Sequence, residues 1–245
     1  MLHSSVGAVY LWARILNRVL AAMIDFAAAR LNMVESQIRP NGITDSRLIR
    51  AMAEVPRELF VPPERAGFAY MDEDVLLERG GELPRFLMEP MAFARLIQLA
   101  DIGPQDSILD VGCGTGYGLA VLARLGGKVT GVETNSGLAD AARQNISKIL
   151  GGSAQIETSG SFAEGPAGAE KFDVIFVNGR VPSFPEALAR RLKPGGRMVS
   201  VEGALAMGRA YLTTLQDGAF SRRVAFDASV PLLPGFLPAR PAFVF

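Results

Sequence analysis

Apolar and polar positions follow two different rhythms along this chain, and the change comes near residue 104. Upstream, apolar positions recur every three or four residues. In "TDSRLIRAMAEV" the residues Leu48, Ile49, Met52 and Val55 share one helical face, with Thr44 as the candidate N-cap and Pro56 as the stop. "EPMAFARLIQLADI" predicts another helix, ended ahead of Gly103 and Pro104. Between them, "RELFVPPERAGFAYMDEDVLLERGGELPRF" is rich in Pro, Gly and charge, which predicts irregular structure with a short helix near Glu64. Downstream, strand-like runs alternate with helical ones. The strands are "SILDVG", "KVTGVE", "AQIETS", "FDVIFVN" and "GRMVSVEG", and the helices lie near 117–125, 136–149 and 183–193. "LKPGGR" reads as a helix ending at Lys193, then a Pro-Gly-Gly turn, and the closing "PAFVF" predicts an antiparallel edge strand. Such alternation calls for an α/β fold with a parallel sheet covered by helices on both faces.

The first thirty residues are apolar but interrupted by Arg14, Asn17 and Arg18, so they hold no run of the roughly 18 apolar residues that a membrane span needs. No clean small-residue cleavage site follows, which argues against a signal peptide. Two readings stay open: an amphipathic helix with Trp12, Ile15, Leu16 and Val19 on one face, or a true start at Met23. Either way residues 1–22 are expected to be dispensable for the core. The expected organisation is an extension over 1–30, a helical and loop-rich segment over 31–100 and an α/β core over 101–245, with 31–245 forming one globular unit.

Composition removes several chemistries. Among 245 residues the formal net charge is zero, and no Lys/Arg block points to nucleic acid or an anionic membrane, so neither is expected as a partner. Cys113 is the single cysteine, which precludes an internal disulfide or a multi-cysteine metal site and fits a reducing, cytoplasmic setting. His3 is the only histidine, so a Ser-His-Asp catalyst, an imidazole relay and a histidine-ligated metal all lack their central residue. No metal is expected. Carboxylate, hydroxyl or amide chemistry remains, or a cofactor that carries the reactive group.

"LDVGCGTGYG", residues 109–118, packs four glycines behind an apolar run, the pattern of a strand-to-helix turn that admits a ligand against bare backbone. The dinucleotide fingerprint G-x-G-x-x-G/A fails at every start, because Tyr117, Leu119 and Val121 occupy the third-glycine positions. The lysine of a phosphate-binding P-loop is absent as well. The spacing present is D-x-G-x-G-x-G, from Asp110 through Gly112, Gly114 and Gly116, and it resembles motif I of the class I S-adenosylmethionine-dependent methyltransferases. That resemblance implies that Asp110 holds polar groups of the cofactor and that the glycines admit its methionine part. Glu133 ends the next strand, where a carboxylate accepts hydrogen bonds from both ribose hydroxyls. Glu133 as an N-cap and Asp110 as a solvated strand end are the structural alternatives. Cys113 reads as a small buried loop residue.

"MVESQIR", "GITDSRLIRAMAEVPRELFVP" and "AGFAYMDEDVLL" resemble the N-terminal region of the protein-L-isoaspartate O-methyltransferases, and the likeness continues through "FDVIFVNG" and "LKPGGRMVSVEG", over roughly residues 32–202. It implies a Rossmann-like doubly wound, mostly parallel sheet with an antiparallel edge strand and an N-terminal helical segment. It also implies a monomeric, cytoplasmic enzyme that uses S-adenosyl-L-methionine to methylate a carboxylate of damaged protein or peptide. The departures fall on the acceptor side. Where the family has G-Q-T-I-S-Q-P, this chain reads "GGELPRFLMEPM"; matching Glu89-Pro90 to Gln-Pro puts Met88 at the hydroxyl position, with Glu89 beside it. The family's G-D-G becomes Gly160-Ser161-Phe162, so Ser161 replaces a carboxylate near the adenine. The fourth strand ends in Asn178, Gly179 and Arg180, with Asn178 and Arg180 expected to face the site, and Glu89 adds a charge that repels an acceptor carboxylate unless Arg85 or Arg180 neutralises it. Attack of an ionised carboxylate on a sulfonium methyl needs alignment more than proton transfer, and a dry cleft favours it. A cofactor-binding relative without isoaspartyl activity, and an O-methyltransferase with another acceptor, are the alternatives.

Overall fold

The computed structural model describes residues 24–81, 83–152, 154–204 and 207–236. Residues 1–22 and the "PAFVF" strand lie outside them. Chain order is α1 (Phe26–Met33), α2 (Ser46–Glu54), β1 (Val75–Glu78), β2 (Arg85–Leu87), α3 (Pro90–Ala100), β3 (Ile108–Val111), α4 (Tyr117–Leu122), β4 (Val129–Glu133), α5 (Ser136–Leu150), β5 (Ala154–Thr158), β6 (Phe172–Val181), α6 (Glu186–Ala189), β7 (Leu192–Glu202), β8 (Gly208–Gln216) and β9 (Ala219–Ala228). Strands β3 to β9 form one sheet in the order β5-β4-β3-β6-β7-β8-β9, parallel from β5 to β7 and antiparallel for β8 and β9. This is the expected mostly parallel, Rossmann-like arrangement, with the antiparallel edge supplied by β8 and β9.

The central strands are buried on both faces, which is why they read as continuous apolar runs. Ile108, Val174, Phe176, Val199 and Val201 face one core, shared with Leu48, Met52, Phe93 and Leu96 of α2 and α3. Leu109, Val111, Ile175, Val177 and Met198 face the other, closed by Phe162, Leu188 and Leu233.

Local chemistry sets the element ends. Asp45 caps α2, accepting from the backbone N–H of Arg47 at 2.8 Å, while the neighbouring Thr44 N–H goes to Gln98 Oε1 at 2.7 Å. Asn135 caps α5, accepting from Leu138 N–H at 3.0 Å, and Gly151 ends it at φ +62°. Pro90 opens α3 at its first position. Two corrections to the sequence reading arise from long-range pairing. The helix expected over 183–193 shrinks to α6, because Leu192 pairs with Phe172 and starts β7, carrying Pro194, Gly195 and Gly196 as an irregular strand entry. The segment after Asp74 holds an antiparallel hairpin, β1 with β2, as a separate two-stranded sheet.

Strand β3 lies between β4 and β6, where the chain reverses its direction of travel across the sheet. In open α/β sheets a crevice opens outside the strand ends at this point. Asp110, Glu133 and Asn178 all sit there, near the ends of β3, β4 and β6. No helix of the described residues is long and apolar enough to cross a membrane.

Candidate active site

Asp110 is fully buried near the end of β3. Among the described residues neither carboxylate oxygen has a partner at full hydrogen-bonding geometry. Burial pushes this carboxyl up to about 7; the Asn178 amide acts to lower it, Glu133 to raise it and Arg85 to lower it. Asp110 fits under the start of α4 because position 118 is glycine: a Cβ there would stand 2.5 Å from Asp110 Oδ2 and 3.0 Å from the Asn178 amide nitrogen. Gly112, Gly114 and Gly116 carry the chain over this carboxylate at φ +83°, +55° and +95°, conformations that L side chains rarely adopt.

Glu133 is also fully buried. Its Oε2 accepts from Gly114 N–H at 2.8 Å, and its Oε1 from the N–H groups of Thr134 and Asn135 at 2.9 and 3.1 Å. Asn135, and not Glu133, supplies the side-chain cap of α5. The remaining partner of Glu133 is Arg85 of β2, which grips both oxygens, Nη1 to Oε1 at 2.5 Å and Nη2 to Oε2 at 2.8 Å. The same Nη2 donates to Gly112 O at 3.3 Å, and the guanidinium lies 5.4 Å from the ring of Phe162. The cation that Arg85 could have offered Glu89 is thus paired with Glu133.

Met88 is buried and, with Arg85, Asn178, Gly179 and Leu233, lines a cavity of about 10 Å³. Its carbonyl accepts from Arg57 Nη2 at 2.5 Å. Glu89 is half-buried, with its backbone N–H on Asp74 Oδ1 at 2.9 Å. Burial, then the charges of Asp74 and Asp72, push its carboxyl up to about 7. Ser161 closes a local turn, its hydroxyl accepting from Ala163 N–H at 3.2 Å, and thereby sets Phe162 beneath Arg85. Arg180, expected to face the crevice, instead sends Nε to Val230 O at 3.2 Å and Nη1 to Gly203 O at 2.7 Å. Its backbone pairs with Pro231 and Leu233, which lays the C-terminal segment across the mouth. Leu233 then covers Gly112: a Cβ on that glycine would lie 2.6 Å from Leu233 Cδ1.

Asp110 thus adjoins Gly118 and Asn178, Glu133 holds the Gly114 N–H, and Met88 and Asn178 share a small cavity with Arg85 and Leu233. Arg57, Arg85 and Leu233 are the further participants. The register that places Met88 on the family serine places Arg85 on the family's first glutamine, and that was the available signal.

A family model described as protein-L-isoaspartate(D-aspartate) O-methyltransferase matches residues 29–216. The chain belongs to this family. A protein-L-isoaspartate O-methyltransferase of Koribacter versatilis is 37% identical over 218 residues, 88% of this chain and 96% of the relative. One from Methylorubrum extorquens is 37% identical over 220 residues, 89% and 93%. Among solved structures, a protein-L-isoaspartate O-methyltransferase superposes with a TM-score of 0.73 at 24% identity over 85% of this chain and 67% of that one. A Plasmodium falciparum relative, solved with S-adenosyl-L-homocysteine, gives 0.68 at 19% identity over 83% and 97%. The two superpositions show the shared fold. Family membership makes the chain a methyltransferase that uses S-adenosylmethionine, and the family's substrates are proteins with isoaspartyl groups.

Proposed function

We propose that this chain methylates a side-chain carboxylate of a protein or peptide at the crevice over Asp110, with an acceptor site rebuilt relative to its family. The observation that carries the reading is Asp110 itself, fully buried at the sheet's reversal point beneath a bare-glycine loop, with only the Asn178 amide beside it and no partner at full hydrogen-bonding geometry among the described residues. A buried, unsatisfied carboxylate is costly, and a ligand rich in N–H and O–H donors removes that cost. S-adenosylmethionine is such a ligand, so these residues fit it. Asp110, Gly112, Gly114, Gly116 and Glu133 would hold it, with Ser161 and Phe162 at the rim; when bound it supplies an electrophilic methyl group on a sulfonium.

The chain's own residues do the rest. Asn178 keeps a donor on the Asp110 side of the crevice. Phe162 and Leu233 exclude water, which strengthens every charge interaction inside. Met88 and Glu89 form the acceptor side, and Arg180 anchors the segment that carries Leu233. The nucleophile is an ionised carboxylate and needs no base, consistent with the absence of histidine among the described residues. Residues 31–100 serve as the acceptor-side cover and 101–236 as the cofactor core, within one globular unit. The setting is read as cytoplasmic and the enzyme as a monomer without nucleic-acid or membrane partners.

Incubation with labelled S-adenosylmethionine and an isoaspartyl peptide, beside its aspartyl control, tests the reading. Label on the isoaspartyl peptide alone supports it. Tight NAD binding in calorimetry with no response to S-adenosylhomocysteine overturns it. Met88 favours a second reading, a cofactor-binding relative that leaves both peptides unlabelled, since a thioether cannot donate a hydrogen bond to an acceptor carboxylate.

A further inference from the structure

We infer that Arg85 is an internal occupant of the cofactor site, holding the carboxylate that a cofactor's paired hydroxyls would take, so that it sets cofactor affinity and ties that affinity to the acceptor loop. The inference rests on the reading of the Asp110–Glu133 crevice as the cofactor site. Three observations carry it. Arg85 meets Glu133 in two parallel hydrogen bonds at 2.5 and 2.8 Å and adds a third to Gly112 O at 3.3 Å. Both side chains are withdrawn from solvent, Glu133 fully and Arg85 to 6% exposure. Leu233 independently covers the same loop glycine from the other side.

The chemistry gives the sign. A neutral diol offers Glu133 two hydrogen bonds to its charge alone, whereas the guanidinium offers two between opposite charges in a fork that matches the carboxylate. A ligand that displaces Arg85 therefore exchanges stronger bonds for weaker ones at this position, and its apparent affinity falls by the fraction of molecules in which Glu133 is free. Arg85 sits in β2, where Leu87 pairs with Val75, and Met88 follows directly. Displacing the guanidinium consequently disturbs the hairpin whose exit strand leads into the acceptor loop. Cofactor arrival and acceptor-loop geometry become one equilibrium.

The test is calorimetric titration of wild type, Arg85→Gln and Arg85→Ala with S-adenosylhomocysteine, together with hydrogen exchange of the wild type with and without it. The glutamine variant retains a donor for Glu133 and guards against a fold lost by leaving a buried carboxylate bare. Both variants are expected to bind at least about tenfold more tightly than wild type. In the wild type, ligand is expected to slow exchange over 110–118 and to speed it over 75–87. Equal or weaker binding by both variants, with both segments slowed, would mean that Arg85 stays in place or holds the ligand, and that sinks the inference while leaving the cofactor site intact. Absence of binding by all three proteins removes the inference and the functional reading together.

Discussion

Arg57 and Met88 are joined by a hydrogen bond of 2.5 Å from guanidinium to carbonyl oxygen, which ties the turn after α2 to the acceptor loop from the inside of the protein. Arg57 is fully buried; its Nε donates to Ala69 O at 2.6 Å, and the guanidinium lies 4.8 Å from the ring centre of Tyr117. Burial lowers its pKa, an effect that Tyr117 and the Asp74 carboxylate oppose. Arg57→Met keeps much of the stem but strands two carbonyls. We expect a loss of about 2–5 kcal/mol, the cost of leaving such groups unsatisfied, read from urea unfolding. An unchanged urea midpoint would mean that water replaces the guanidinium at both carbonyls.

Glu133 separates affinity from stability. Glu133→Gln removes the charge that Arg85 and three backbone N–H groups share, so the ligand-free protein is expected to lose about 3–5 kcal/mol, the usual result of unpairing a buried ion. Cofactor affinity is expected to drop by about 1–3 kcal/mol in the same variant, since a charged acceptor is lost. Thermal melting with and without S-adenosylhomocysteine reads both effects.

The pH dependence follows from Asp110. Its carboxyl titrates at about 7 in the folded chain against an ordinary value of 3.8, so between those pH values the native state holds the extra proton. Stability from this group is thus fully present below about pH 4 and is lost as pH rises through 7. Glu89, raised in the same direction, adds to the trend. Asp173 acts oppositely: although burial works against it, hydrogen bonds from Lys193 and Ser107 hold it at about 2, so its contribution fades only as pH falls toward that value. Asp110→Asn is expected to stabilise the ligand-free protein at pH 8 by at most about 4 kcal/mol, to lose that advantage near pH 4, and to bind S-adenosylhomocysteine more weakly. Chemical denaturation across pH 4–8 decides it; parallel curves for the two proteins would mean that Asp110 is solvated.

Met88→Ser restores a hydroxyl to the acceptor side. Methanol release from an isoaspartyl peptide is expected to be low for the wild type and to rise by up to about 10² in the variant, the scale of one well-placed donor. Because Met88 is buried, the substitution is also expected to cost about 2–4 kcal/mol of stability. High wild-type turnover that falls on installing serine would mean that another residue aligns the acceptor.

The sheet and the glycine loop were legible because their determinants are local or periodic: continuous apolar strands, a fixed glycine spacing, a carboxylate at each of two strand ends. Arg85 was not, since nothing periodic connects it to Glu133, 48 residues away. The same cause hid the start of β7, which Phe172 recruits from another strand against the local turn signal of Pro194 and Gly195. The partners of Arg180 were hidden for a related reason: a place at a strand end gives no sign of the carbonyls of Gly203 and of Val230, 50 residues on, that its guanidinium meets.

The hairpin of β1 and β2 contributes no strand to the seven-stranded sheet. Its length and composition can therefore drift through generations without disturbing a rung of that ladder. Val75 and Leu87 pack it into the larger core, and side-chain bonds tie it down at Arg85, paired with Glu133, and at Glu78, which accepts from the Asn135 amide at 2.7 Å. A fold arranged in this way lets acceptor preference evolve on a part that answers to the rest of the enzyme through side-chain packing and pairing, and not through the backbone of the main sheet.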